Sequence, residues 1–353
     1  RDSSTSRGLG DVYKRQMLYC VRTLKTSVLL YPEASYSFDG TATPLPESIG
    51  KCVKALNVPV VMIRTYGAFA RDPLYNGLQK RRAKVSAQMQ CLLSSDDVAE
   101  LNVAGINERI FSAFRFDNFR WQEENGVSVS EPFRADGLNR VLYKCPHCFA
   151  EGKMEGKGTS LICRSCGKEY RLTELGTLKC LNGEAAFTHV PDWYAWERQC
   201  VREELESDAY QLDIPVQICM MVNMREICRV GEGRLHHDEN GFHLTGCGGK
   251  LDYFQKPEAS YSLYADYFWY EIGDMLCIGD HKALYYCFPQ DGGDVVAKTR
   301  LAAEELYKLK RAAKARGGGS AAALLLSLHR VGGALKGAIL SRERMAPFKS
   351  PKR

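Results

Sequence analysis

The chain has 353 residues, 45% apolar and 25% charged, a globular balance that excludes disorder and fibrous repeats and leaves room for two or three domains. Its formal charge of +6 is uneven: residues 308–353 hold +11 and residues 1–16 hold +2, so residues 17–307 carry −7. A mildly acidic body argues against a nucleic-acid surface, and any attraction to anionic partners is confined to the ends.

No run of about 18 apolar, uncharged residues occurs, so a membrane-spanning helix is not expected. Residues 1–16, RDSSTSRGLGDVYKRQ, lack apolar periodicity. Their last six resemble the translation of a transposon adapter used in preparing sequencing libraries. They are therefore expected to be an artefact, with the protein's own sequence continuing upstream. Residues 17–26 read as a helix, and 27–31 (SVLLY) as a short buried strand stopped by Pro32. A second helix is expected over 47–56, a second buried strand over 58–63 and a third strand over 84–93. Ser95, Asp96 and Asp97 offer caps for one long helical stretch towards Asn125. This order is an α/β pattern, with parallel pairing expected through the first crossover.

Between the first two strands stand Tyr31-Pro32-Glu33-Ala34-Ser35-Tyr36-Ser37 and Phe38-Asp39-Gly40, followed by Leu45-Pro46, Gly50 and Val58-Pro59-Val60-Val61. This set resembles the third and fourth motifs of the glycerolipid (lysophosphatidate-type) acyltransferase family, across roughly residues 17–125. The resemblance implies that residues 17–140 are the C-terminal part of an acyltransferase domain. It implies acyl transfer from acyl-CoA or acyl carrier protein to a lysophospholipid-type hydroxyl, with Pro32, Glu33, Ser35, Ser37 and Pro59 at the acceptor. Two positions depart from the family pattern: Ala34 replaces Gly, and Tyr36 replaces the Arg that faces the acceptor's phosphate. A phenol cannot form a charged bidentate fork, so the resemblance carries the reaction class and not the acceptor. The family's general base is the His of a His-x-x-x-x-Asp motif. None of the seven histidines here has Asp five positions on, so the chain is expected to lack the base and to be inactive alone.

Cys145-Pro146-His147-Cys148 and Cys163-Arg164-Ser165-Cys166-Gly167 form two Cys-x-x-Cys pairs. That spacing lets both sulfurs of each pair face one ion, which predicts a structural zinc ribbon over residues 143–175 with Cys145, Cys148, Cys163 and Cys166 as ligands. Gly167 suits the tight turn, and His147 reads as a solvated spacer. The other ten of the 14 cysteines stand singly. With one metal site, this points to a reducing compartment and a cytoplasmic protein in peripheral contact with the inner membrane face.

Residues 190–315 read as a helix followed by antiparallel strands. Pro191-Asp192 caps the helix over 193–205, whose Trp193, Trp196, Cys200 and Val201 lie on or near one face. A strand begins at 214, Glu239-Asn240-Gly241 marks a hairpin, and Gly279-Asp280 separates two further strands. Eleven aromatics between 253 and 288 suit a twisted sheet. Asp294 caps a closing helix. The whole resembles a pleckstrin-homology-like domain in the order of its elements. Cys219, Cys228, Cys247, Cys277 and Cys287 are expected in its core. Residues 316–353 form a low-complexity basic tail, with an amphipathic stripe at Leu324, Leu328, Val331, Leu335 and Ile339. The expected fold is thus α/β, plus a small zinc ribbon and a β-rich domain closed by a helix. Besides the acyltransferase, the alternatives are a non-catalytic lipid or protein adaptor on an acyltransferase fold and a zinc-ribbon nucleic-acid binder.

Overall fold

The computed structural model describes residues 7–33, 35–77, 79–222, 226–280, 282–291 and 293–317. The amphipathic stripe of the tail lies outside them. The chain is mixed α and β, and every strand pairing among the described residues is antiparallel.

Helix α1 spans Arg7–Arg22, so the helix expected from residue 17 begins ten residues earlier. Lys14, Arg15 and Gln16 are good helix formers, and no proline interrupts them. Residues 27–31 form no strand, and Leu29 is 60% exposed. An extended apolar segment becomes a strand only where a neighbour takes its N–H and C=O groups, and none lies beside this one. The parallel crossover is therefore not formed.

Helix α2 (Ile49–Leu56) leads to β1 (Val60–Tyr66), then a single turn α3 (Ala68–Arg71) and β2 (Ser86–Leu93), antiparallel to β1 in a two-stranded sheet. One face of β1 turns towards the helices that follow. The other, with Val61 and Ile63 opposite Cys91 and Met89, is open, and Met89 is 67% exposed. The expected burial of residues 58–63 is thus half realised.

The single helix expected after residue 95 is three: α4 (Ser95–Glu100), α5 (Val103–Phe114) and α6 (Asn118–Glu124). Short polar side chains that capture backbone N–H groups create the breaks. Ser94 makes a reciprocal capping box with Asp97, Asn102 Oδ1 accepts from Gly105 N at 2.9 Å, and Asp117 Oδ1 accepts from Arg120 N at 2.9 Å. A small core of Val53, Leu93, Val98, Ile106 and Ile110 holds this part together.

The ribbon is a four-stranded sheet in order β3 (Met154–Lys157), β4 (Ser160–Cys163), β5 (Glu169–Leu172) and β6 (Leu178–Cys180). Helix α7 (Val190–Glu206) follows, with His189 at the cap position and Pro191 in the first turn. This differs from the expected Pro191-Asp192 cap, because proline's missing N–H suits a position whose N–H has no helical partner.

Strands β7 (Leu212–Val222), β8 (Glu226–Asp238), β9 (Gly241–Gly246), β10 (Leu251–Gln255), β11 (Tyr264–Trp269), β12 (Gly273–Gly279) and β13 (Ala283–Pro289) form one sheet. Its order is β10-β9-β8-β7-β13-β12-β11, two meanders joined through β7 and β13. Helix α8 (Val295–Gly317) packs on this sheet and on α7. Cys219, Cys277 and Cys287 are buried as expected, but Cys247 is half-buried and Cys228 exposed. Alternation along β8 turns Cys228 outward.

One continuous core runs through the ribbon, α7, the large sheet and α8, separate from the small core around β1. It joins Phe38 and Tyr75 to Leu161 and Tyr170 of the ribbon, Trp193 of α7, Leu235 and Leu276 of the sheet, and Leu301 of α8.

Candidate metal centre

The four thiols converge. Cys145 and Cys163 are buried, Cys148 is half-buried and Cys166 exposed, and all four sulfurs lie within 4.8 Å of one another. Cys145 Sγ is 3.7 Å from Cys166 Sγ, and Cys148 Sγ is 3.6 Å from Cys163 Sγ. A disulfide would bring two sulfurs to about 2.05 Å. A tetrahedral ion with metal–sulfur bonds of about 2.3 Å sets its ligands about 3.8 Å apart. The donors therefore fit one metal ion, and no other such cluster occurs among the described residues.

Each knuckle is built the same way. The N–H groups of Cys148 and His147 donate to Cys145 Sγ, and those of Cys166 and Ser165 donate to Cys163 Sγ. These donors stabilise thiolate charge. Burial pushes the Cys145 thiol up, whereas at Cys148 the Ala150 N–H and the neighbouring sulfurs outweigh desolvation and bring it to about 7. Each turn closes with a 2.9 Å backbone bond, Phe149 N to Cys145 O and Gly167 N to Cys163 O. Both closing residues are left-handed, Gly167 at φ 73° and Phe149 at φ 59°. Glycine takes this conformation freely; Phe149 strains to do so, and its ring lies 6.0 Å from that of Trp196. His147 is exposed as expected, although its Nε2 sits 2.7 Å from Tyr170 Oη.

Four alternating charges tie the first knuckle to the helices. Lys144 Nζ lies 3.0 Å from Glu151 and 3.3 Å from Glu204, while Lys298 Nζ lies 2.7 Å from each of the same carboxylates. Lys144 N donates to buried Glu197 Oε1 at 2.8 Å, and Trp193 Nε1 donates to Lys144 O at 3.0 Å. Burial holds Glu197 well above the usual carboxylate range.

The acceptor residues expected from the sequence divide into two groups. Glu33, Ser35 and Ser37 share one irregular loop. Glu33 Oε1 accepts from Thr43 N at 2.8 Å; burial raises its pKa, opposed by Thr43 and by the Arg300 charge. Ser35 Oγ is 3.5 Å from Ser262 Oγ, and Ser37 Oγ donates to Asp39 Oδ1 at 3.4 Å. Pro32 is half-buried beside Glu33. Pro59 lies exposed just before β1, and the bonds that hold the loop do not reach it.

What grips the loop was not expected. Arg300 of α8 donates from Nη1 to Tyr36 O at 2.6 Å and lays its guanidinium over the Phe38 ring at 4.4 Å. Its Nε lies 3.2 Å from Glu304 Oε1, which also accepts from Ser262 Oγ at 3.0 Å. Glu304 Oε2 is 2.8 Å from Arg198 of α7. Arg300 and Glu304 are spaced four apart on a helix, which the sequence displays, but only the fold reveals that both are buried.

No family model matches the chain, and no curated protein or solved structure matches it. No described helix is long and apolar enough to cross a membrane.

Proposed function

We propose that Cys145, Cys148, Cys163 and Cys166 hold one structural zinc ion, and that the chain serves lipid acyl transfer through the loop at residues 31–37. Zinc suits an all-thiolate tetrahedral site. With four protein ligands it has no open position, so it supplies rigidity and no activated water. In this reading a lipid hydroxyl attacks the thioester carbonyl of acyl-CoA or acyl carrier protein. The C–O ester bond forms as the C–S bond breaks, the donor leaves as a thiol with the hydroxyl's proton, and the loop positions that hydroxyl. No His-x-x-x-x-Asp stands in the chain, so the reading concerns acceptor placement and not proton transfer.

The observation that carries it is the grip on the loop. A surface linker needs no buried guanidinium, yet the Tyr36 carbonyl and Phe38 ring are fixed by Arg300, itself buried. Fixing an irregular segment with buried charge costs desolvation and is expected where geometry matters. Binding of a short-chain lysophosphatidate by calorimetry tests it. The chain should bind, Glu33→Ala should weaken binding about tenfold or more by freeing the loop from Thr43, and Tyr36→Arg should tighten it. Absence of binding by lysophosphatidate and by a neutral monoacylglycerol alike, or an unaffected Glu33→Ala, would overturn the reading. Metal mass spectrometry should find one zinc per chain.

The strand order favours a second reading. Two antiparallel meanders joined through β7 and β13 and closed by α8 resemble a pleckstrin-homology arrangement, which supports a non-catalytic lipid or protein adaptor by analogy. Lipid binding that ignores Glu33→Ala and Tyr36→Arg alike would favour it.

A further inference from the structure

The turn between β11 and β12 carries a run of outward apolar side chains. Phe268, Tyr270 and Ile272 are 37%, 54% and 52% exposed, and Tyr36 of the loop is 62% exposed. Between the first two, Trp269 points the other way, stacked on Tyr286 with ring centroids 4.6 Å apart, over a second small core of Met221, Met275 and Phe288. The turn is held rigidly. Phe268 N donates to Asp274 Oδ1 at 3.0 Å, Glu271 N to Phe268 O at 3.0 Å and Ile272 N to Trp269 O at 3.0 Å. Arg140 anchors Asp274 from the far side at 3.1 Å.

The backbone is strained to achieve this. Phe268, Tyr270 and Glu271 all have left-handed φ, at 57°, 46° and 61°. Glycine would serve such a turn without strain; bulky side chains there disfavour a purely structural role. The loop runs along β11 towards the turn: Ser35 Oγ meets Ser262 Oγ at 3.5 Å before the strand, and the Phe38 ring lies 4.5 Å from that of Tyr267 near its end.

We propose that Phe268, Tyr270 and Ile272 form a tip that inserts into the headgroup–acyl boundary of a phospholipid bilayer. Its link to the acceptor loop rests on the reading above; the insertion itself does not. Tyrosine suits that boundary because its ring is apolar and its hydroxyl stays hydrated, while Phe and Ile enter the acyl region. Residues 257–281 contain no Lys or Arg, and Glu271 sits within the tip. The attraction is therefore apolar rather than electrostatic, and neutral lipid should suffice. A tip carried on a fixed turn also loses little conformational freedom on insertion.

Vesicle co-sedimentation of the full chain tests this. Wild-type protein should bind phosphatidylcholine vesicles, which give the basic tail no anionic surface, with little loss in about 0.5 M salt, where charge is screened. Tyr270→Ser with Ile272→Ser should lower the partition about tenfold or more, at unchanged metal content. Ile63→Ser with Met89→Ser, which removes exposed apolar surface from the β1–β2 sheet, should leave it unchanged. Failure of the wild type to bind would overturn the proposal, as would equal loss in both double variants. Binding that requires anionic lipid and vanishes in salt would do the same. Short-chain lysophosphatidate binding, measured in parallel, separates the two ideas: an intact tip effect with no Glu33 effect removes the acceptor reading alone.

Discussion

The sheet of β1 and β2 and the sheet of β7 to β13 are both written in apolar residues, yet one is covered and the other half-bare. On the large sheet, α8 fills one face, and Leu235, Leu244 and Leu276 are essentially inaccessible. On the small one, Val61, Ile63, Ala87 and Met89 share a face with no helix across it. Apolar alternation specifies which face a strand can bury, whereas burial needs a second layer. The four-cysteine ribbon belongs with the covered region, because its Leu161 and Tyr170 lie in the same core as Trp193. The helices around β1 rest instead on their own small core.

Metal removal should divide the two regions most sharply. A structural zinc contributes on the order of 10–16 kcal/mol of apparent binding energy, and a ribbon of this size cannot replace it with core of its own. Chelation, or Cys163→Ser, should unfold the four-stranded sheet and expose Trp193. The small core of Val53, Leu93 and Ile106 should stay protected. Hydrogen exchange checks this; uniform loss of protection would mean that the regions are not separable.

Breaking the buried ion network should come next. Arg300→Met leaves Glu304 buried with one cation fewer and removes the bond to Tyr36, so a loss of about 3–5 kcal/mol is expected in denaturant unfolding. Arg311→Met, which cuts a 2.9 Å pair with Glu47 at the exposed end of the same helix, should cost less than about 1 kcal/mol.

A smaller, pH-dependent effect should appear at the seam between α6 and α7. His189 Nε2 lies 3.1 Å from Asp117 and Nδ1 lies 3.2 Å from Asp192, contacts of ion-pair rather than hydrogen-bond alignment. Asp117 raises the His189 pKa despite burial, and Arg120 is the other charge facing Asp117. A raised histidine stabilises the fold fully below its unfolded pKa of about 6.5, and that contribution fades as pH rises through the higher folded value. Thermal stability should therefore fall across this window, and His189→Gln should flatten the slope.

The least effect belongs to the bare face. Ile63→Thr and Met89→Thr should each change stability by no more than about 0.5 kcal/mol, whereas Leu276→Ala on the covered sheet should cost about 2–5 kcal/mol. Equal costs would show that something covers both.

Much of this was legible in the residues. The two Cys-x-x-Cys pairs specify a four-sulfur site because their spacing is local and the knuckle turn needs only a few residues. The β8–β9 hairpin, the helix after His189 and the closing helix follow from turn residues and periodicity, again local signals. What the sequence could not decide is what lies across from each face. Residues 27–31 have the composition of a strand but find no partner. Phe149 takes a left-handed turn that only glycine advertises. Arg300 reaches Tyr36 across a separation of 264 residues. Local patterns determined most of the elements and the four-sulfur cluster. Which apolar faces are buried, and which charges hold the Pro-Glu loop, depends on free energies of burial and pairing that exist only once distant segments meet.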